Sequence, residues 1–191
     1  MSTKKAGATK IMMIRHGEKP PDSGNGVTLD EKPDPESLII QGWQRAGALA
    51  VLFAPANGQF QNPGLATPQF VYASKVVKHS ESKRPQETVM PLIAKLGKNV
   101  RKNYNHPKGK EQKVASHALT CPGVVLICWE HTLIPTIASY IPISPNNKTP
   151  VPTQWPDDRF DVVWVFDLDS SAGKYTFSQV PQCLLAGDQD A

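Results

Sequence analysis

The stretch Lys10-Ile11-Met12-Met13-Ile14-Arg15-His16-Gly17-Glu18 decides how the chain reads. Four consecutive apolar residues suit a strand whose side chains point alternately into two covered layers. The run stops at Arg15, so the pattern predicts a central strand over Lys10–Arg15 with His16 at its carboxyl end. It is too short for a signal-peptide core or a membrane span, and the basic segment MSTKKAGATK that overlaps it does not change that.

Outward from this strand, apolar residues at helical spacing predict a helix over Leu38–Phe53. Gln69–Ser74 reads as a second strand, and Ser82–Leu96 as a helix with Ser82 as N-cap and Pro85 in the first turn. A short helix is expected over Glu111–Leu119, a buried strand over Gly123–Trp129, and a helix over Thr132–Tyr140. Phe160–Leu168 and Tyr175–Val180 read as a hairpin. Strands alternating with helices predict an α/β three-layer sandwich: a mostly parallel central sheet, an antiparallel edge strand and helices on both faces. Ligands gather at the carboxyl ends of the strands in such sheets. His16, Ser74 and His131 fall at strand ends, and Arg84 starts the next helix.

The composition, 39 % hydrophobic and 20 % charged over 191 residues, is that of a globular chain and excludes wholesale disorder, collagen-like repeats and coiled coils. The 18 prolines concentrate in 19–35, 55–68 and 142–156, and loops 19–36, 55–68 and 142–158 are expected to line or flank the pocket. Cys121, Cys128 and Cys183 lack metal-like spacing and read as reduced thiols of a cytoplasmic protein. His79, His106 and His117 read as surface or loop residues, and no spacing suggests a metal site. Trp43, Trp129 and Trp164 read as core aromatics. The net charge of +4 is uneven: Lys98, Arg101, Lys102, Lys108, Lys110 and Lys113 crowd one segment opposed only by Glu111. A solvated basic face is the simplest reading and an anionic ligand the alternative. No aromatic interleaving or nucleic-acid module accompanies the charge, so no nucleic-acid partner and no membrane association are expected.

The residues at the strand ends suit phosphoryl transfer. That chemistry needs charge neutralisation at the non-bridging oxygens, an in-line nucleophile and a proton for the leaving group. Arg15 and Arg84 can grip phosphate oxygens bidentately, and His16 is a nucleophile if one ring nitrogen stays unprotonated. Arg15-His16-Gly17-Glu18 after a hydrophobic strand resembles the signature of the histidine phosphatase superfamily, which includes phosphoglycerate mutases and histidine acid phosphatases. Leu38–Ala46 resembles its Leu-Thr-x-x-Gly-x-x-Gln-Ala helix start, Tyr72–Ser74 with Arg84 and Thr88 its second arginine segment, and Gly123–Thr132 the strand carrying its second histidine.

The resemblance covers residues 10–140. It implies His16 as phosphohistidine-forming nucleophile, Arg15 and Arg84 as phosphate clamps, and His131 as a further donor, within one domain over 1–191 with minimal cap insertions. Two departures stand out. The Ser74 to Arg84 spacing is long for the family, so phosphate could also meet Lys75, Lys78, His79 or Ser80. Glu130 replaces the usual small residue before His131, and Glu130 and Glu111 compete as general acid, with Glu130 slightly favoured. Glu18 with Lys19 either orients the pocket loop or is a solvated pair. The expected activity is a phosphomonoesterase, with no cofactor, acting on a phosphorylated small molecule or phosphoprotein. The alternatives are a phosphoglycerate-mutase-like phosphotransferase and a non-catalytic phosphate or phosphoprotein binder.

Overall fold

Ile11, Met12, Met13 and Ile14 are fully buried, and they divide by parity. Ile11 and Met13 enter one apolar cluster with Val114, Ala118, Ile134 and Ile137, while Met12 and Ile14 enter another with Leu49, Phe53, Val89 and Leu92. This is the two-sided burial that a continuous apolar run demands, and each such side chain contributes about 1.5–3 kcal/mol on leaving water. The structure is a computed structural model and describes residues 7–190.

The elements in chain order are β1 (Ala8–Arg15), β2 (Gly26–Val27), β3 (Pro33–Asp34), α1 (Ile40–Phe53), β4 (Phe70–Ala73), α2 (Arg84–Leu96), β5 (Arg101–Asn103), α3 (Glu111–Thr120), β6 (Gly123–Trp129), α4 (Ile134–Ala138), β7 (Val162–Asp169) and β8 (Lys174–Pro181). The main sheet has the order β5-β4-β6-β1-β7-β8. β5, β4, β6 and β1 are parallel, with Met13 opposite Ile127 and Arg15 opposite Trp129. The antiparallel part lies at the other edge, where β7 runs against both β1 and β8. α1 and α2 cover one face, α3 and α4 the other. The layered α/β architecture expected from the alternation is therefore present.

The structure corrects several local readings. Ser82 does not cap a helix: α2 starts at Arg84 behind Lys83, which makes no side-chain cap, and the Ser82 hydroxyl accepts from the Arg84 guanidinium instead. The helix expected over Thr132–Tyr140 is a 3₁₀ turn at His131–Leu133 followed by the five residues of α4, with Pro135 in its first turn. β5 was not foreseen; it holds no apolar residue and exists because its backbone pairs with β4. His106 is a loop residue as expected but a buried one, with its ring against that of His117 at 3.0 Å between nitrogens. Trp129 and Trp164 are core residues, while Trp43 is half-buried and donates its indole N–H to the Val27 carbonyl. The three cysteines are unbonded to one another. Among the described residues, no helix is long and apolar enough to cross a membrane, and no group of His, Cys, Asp and Glu could hold a metal ion.

Candidate active site

Because β4, β6 and β1 are parallel neighbours, their carboxyl ends open side by side and deliver Ser74, Glu130 with His131, and His16 to one edge of the sheet. The His16 amide continues the ladder by donating to the Trp129 carbonyl at 3.1 Å. Its ring is 4 % exposed, and Nδ1 lies 2.8 Å from the Gly17 carbonyl oxygen. A carbonyl only accepts, so Nδ1 carries the proton and Nε2 keeps a lone pair. Burial, helped by the charges of Arg15, Arg84 and Lys108, pulls the imidazole down to about 3, so it is neutral across the physiological range.

The turn after His16 is held by close backbone packing. The Gly17 amide donates to Thr88 Oγ1 at 2.8 Å, and the Thr88 hydroxyl donates in turn to the Arg84 carbonyl at 2.7 Å. This gives the Arg84-to-Thr88 spacing a physical role, since it ties the start of α2 to the His16 turn. Ile39 has no side-chain cap to offer α1, and its amide donates to the Glu18 carbonyl instead. A β-carbon at Gly42 would lie 2.5 Å from that carbonyl oxygen, and one at Gly17 would lie 2.9 Å from the Gly42 oxygen. Only two facing glycines permit this approach. Gly42→Ala adds about 1 kcal/mol of helix propensity but forces backbone against backbone at a cost of about 1–3 kcal/mol. The expected result is a lower Tm with a larger loss of activity than of stability; a stabilised, fully active variant would refute the role given to this contact.

Arg15 is 1 % exposed, its guanidinium carbon 3.7 Å from the Phe160 ring centroid. Its Nη1 donates to the carbonyls of Asp157 at 2.5 Å and Arg159 at 3.2 Å. Burial lowers its pKa to about 10, which leaves it charged at neutral pH. His131 Nε2 lies 2.9 Å from an Asp157 carboxylate oxygen. Desolvation and the Arg15 charge hold this imidazole below its ordinary value despite Asp157. The segment around Asp157 thus meets both residues. Arg84 is anchored by the carbonyls of Pro35 at 2.5 Å and Ser37 at 3.4 Å, with the Glu36 carboxylate 3.6 Å away. Arg15 Nε, His131 Nδ1 and Ser74 Oγ are buried without a hydrogen-bond partner. Unmet polar atoms of this kind are costly unless a ligand satisfies them, Arg15 Nε as a donor and His131 Nδ1, in the neutral ring bound to Asp157, as an acceptor.

The competing carboxylates are both engaged. Glu130 forms an ion pair with Lys108 and accepts from Thr132 Oγ1 at 3.2 Å. Burial raises its pKa, but Lys108 outweighs that and holds it below the ordinary range, so it is ionised. Glu111 is buried and accepts from the Gly109 amide at 2.9 Å and the Trp129 indole at 3.2 Å, which ties α3 to β6. In the long segment after Ser74, Val77 and Ser80 bridge each other while Lys75, Lys78 and His79 are exposed. Of the loops expected near the pocket, 19–36 contributes Pro35 and Glu36 and 142–158 contributes Asp157; in 55–68, the Gly64 carbonyl binds Lys10 near the start of β1.

Several residues here carry no role at the site in the sequence reading. Thr88 stands there only for its spacing, Phe160 only as the start of a strand, and Asp157 only as part of a pocket-flanking loop. Lys108 was only part of a charge run. Glu18 is not a solvated pair with Lys19: it is buried on Arg45, at 2.9 Å from Nε and 2.8 Å from Nη2.

No protein-family profile matches the chain, and no curated protein matches it by sequence. Solved structures do share its fold. The protein histidine phosphatase SixA complexed with tungstate aligns with a TM-score of 0.55 at 18 % identity, over 91 % of this chain and 97 % of that one. A candidate alpha-ribazole-5'-P phosphatase from Escherichia coli str. K-12 substr. MG1655 aligns with a TM-score of 0.54 at 10 % identity, over 93 % and 100 %. The chain has the fold of the histidine phosphatases.

Proposed function

We propose that this protein is a single-domain phosphomonoesterase of the histidine phosphatase superfamily, acting through a phosphohistidine on His16. The observation that carries the reading is the His16 ring: neutral, its Nδ1–H bound to the Gly17 carbonyl, its Nε2 lone pair free beside the buried cation Arg15. In this reading Nε2 attacks phosphorus, the P–N bond forms as the P–O bond to the alcohol breaks, and the departing alkoxide takes its proton from water. Water then attacks the phosphohistidine, P–N breaks, and inorganic phosphate departs. Arg15 and Arg84 neutralise the non-bridging oxygens through both steps, and His131 donates a further hydrogen bond.

Hydrolysis is favoured over transfer because, among the described residues, the longest connections, 54–69 and 139–161, are single loops and no inserted domain is there to retain the released alcohol. The two solved counterparts bear phosphatase names and are matched over nearly their whole length, which agrees with this size argument. Purified protein is expected to release phosphate from p-nitrophenyl phosphate and to yield an acid-labile phosphohistidine at His16 on rapid quench. Tungstate binding without turnover of any phosphoester would replace the enzyme reading with a non-catalytic binder.

The His131 role implies competition with Asp157. The neutral imidazole has one N–H, and Asp157 takes it at Nε2. An anion must recruit that donor or cause the ring to reorient. Asp157→Asn weakens the internal bond and removes a like charge, so tungstate is expected to bind roughly 3- to 10-fold more tightly. Titration by calorimetry measures it; weaker binding would place Asp157 among the groups that support the anion.

A further inference from the structure

The basic run from Lys98 to Lys113 is folded in a way that treats one lysine differently from the rest. From the end of β5 the chain turns back across the end of β4, where the His106 carbonyl accepts from the Lys75 amide at 2.8 Å. Three residues after Lys108, buried Glu111 holds the Gly109 amide and the Trp129 indole. Lys108 is therefore pinned on both sides, and its ammonium lies at the end of β6 on Glu130, next to His131. Arg101, Lys102 and Lys110 are exposed, whereas Lys108 has a side chain only 25 % exposed. Its charge also acts on the His16 ring together with those of Arg15 and Arg84.

We infer that Lys108 is a further cationic contact for the bound phosphoryl group, and that Glu130 is its positioning residue instead of the proton donor. The inference rests on the phosphatase reading for its chemistry. Lysine is suited to this place because a compact ammonium on a flexible stem can swing from a carboxylate to a phosphoryl oxygen without leaving the pocket. Glu130 cannot serve as acid while it is ionised on Lys108. It holds the ammonium at the mouth of the site when no anion is present, and it is itself held by Thr132. The leaving alcohol then departs without a proton from Glu130, and substrates with acidic leaving groups are turned over fastest.

The test uses the full chain, tungstate titration by calorimetry and a series of aryl phosphates whose leaving phenols differ in pKa. Lys108→Met is expected to weaken tungstate binding roughly 10- to 100-fold and to lower kcat/KM equally across the series, with Lys108→Arg recovering most of both. Glu130→Gln is expected to leave the slope of log kcat/KM against phenol pKa unchanged, and Lys108→Met/Glu130→Gln to lose no more than Lys108→Met alone. Thermal melts at matched pH check that each variant is folded. Tungstate affinity within twofold of wild type in Lys108→Met would overturn the contact. A steeper slope in Glu130→Gln would restore Glu130 as the acid. Absence of turnover in the wild type would sink the phosphatase reading while leaving the Lys108 contact to be decided by tungstate alone.

Discussion

His16→Asn is expected to lower kcat for aryl phosphate hydrolysis by about four orders of magnitude or more, with tungstate binding reduced far less. The separation follows from the division of labour at the sheet edge. The variant loses the covalent route outright, and nucleophile removal in acyl- and phosphoryl-transfer enzymes costs on this scale. The cations Arg15 and Arg84 remain, and the asparagine amide can still donate to the Gly17 carbonyl that His16 now uses. The same substitution has a pH signature. The His16 imidazole has a folded-state pKa of about 3, below the ordinary value near 6.5. Between those values the unfolded chain binds a proton that the folded chain refuses. Stability therefore falls as pH drops through that window, by up to several kcal/mol at its acid end. Asn removes this dependence, so the stability difference between variant and wild type shifts in favour of the variant as pH falls from 7 to 4. Denaturant melts across that range measure it. A constant difference would mean that His16 titrates normally, and that the neutral nucleophile is not supplied by burial.

What the sequence disclosed follows from how local each signal is. The run Ile11–Ile14 announces its two covered faces because burial of every residue leaves a mark in every residue. His16 was found because it ends that run. β5 left no such mark: Arg101 and Lys102 are exposed at a sheet edge and contribute backbone only. Ser82 had the right chemistry for an N-cap, but its hydroxyl is taken by the Arg84 guanidinium, which is itself fastened to Pro35 and Ser37 across nearly fifty residues. Asp157 lies in a proline-rich loop recognisable as flanking the pocket. That this carboxylate meets His131 depends on how the loop crosses the sheet end, which no spacing encodes. The roles of Glu130 and Glu111 were undecidable for the same reason, since each is defined by a partner on a different element, Lys108 for one and the Trp129 indole for the other.

Arg45→Met is expected to cost about 3–5 kcal/mol of stability at pH 7, the largest loss among single substitutions outside the apolar core. Arg45 stands among the apolar residues of α1, with its side chain 3 % exposed. The guanidinium spends its donors on Glu18 Oε1, on both oxygens of Asp188 at 2.7 and 3.1 Å, and on Gln182 Oε1 at 3.0 Å. Glu18 and Asp188 are themselves nearly buried, at 10 % and 5 %. Methionine fills much of the volume but leaves two carboxylates without a cation in a poorly solvated place, so the loss is one of uncompensated charge more than of packing. Burial alone would raise the Asp188 pKa; the Arg45 bond and the amides of Leu184 and Leu185 overcome it and hold the group below its ordinary value. A depressed carboxylate contributes stability at neutral pH that is lost as pH falls through its folded pKa. The gap between wild type and Arg45→Met should accordingly be widest near pH 7 and narrow on acidification, and Arg45→Met/Asp188→Asn should recover part of it by removing one orphaned charge. Denaturant melts at pH 7 and pH 4 give both readouts, and a gap under about 1 kcal/mol at pH 7 would show that solvent reaches these carboxylates freely. Activity should fall with stability, because the Glu18 backbone that receives Ile39 and crowds Gly42 is the far end of the turn that begins at His16.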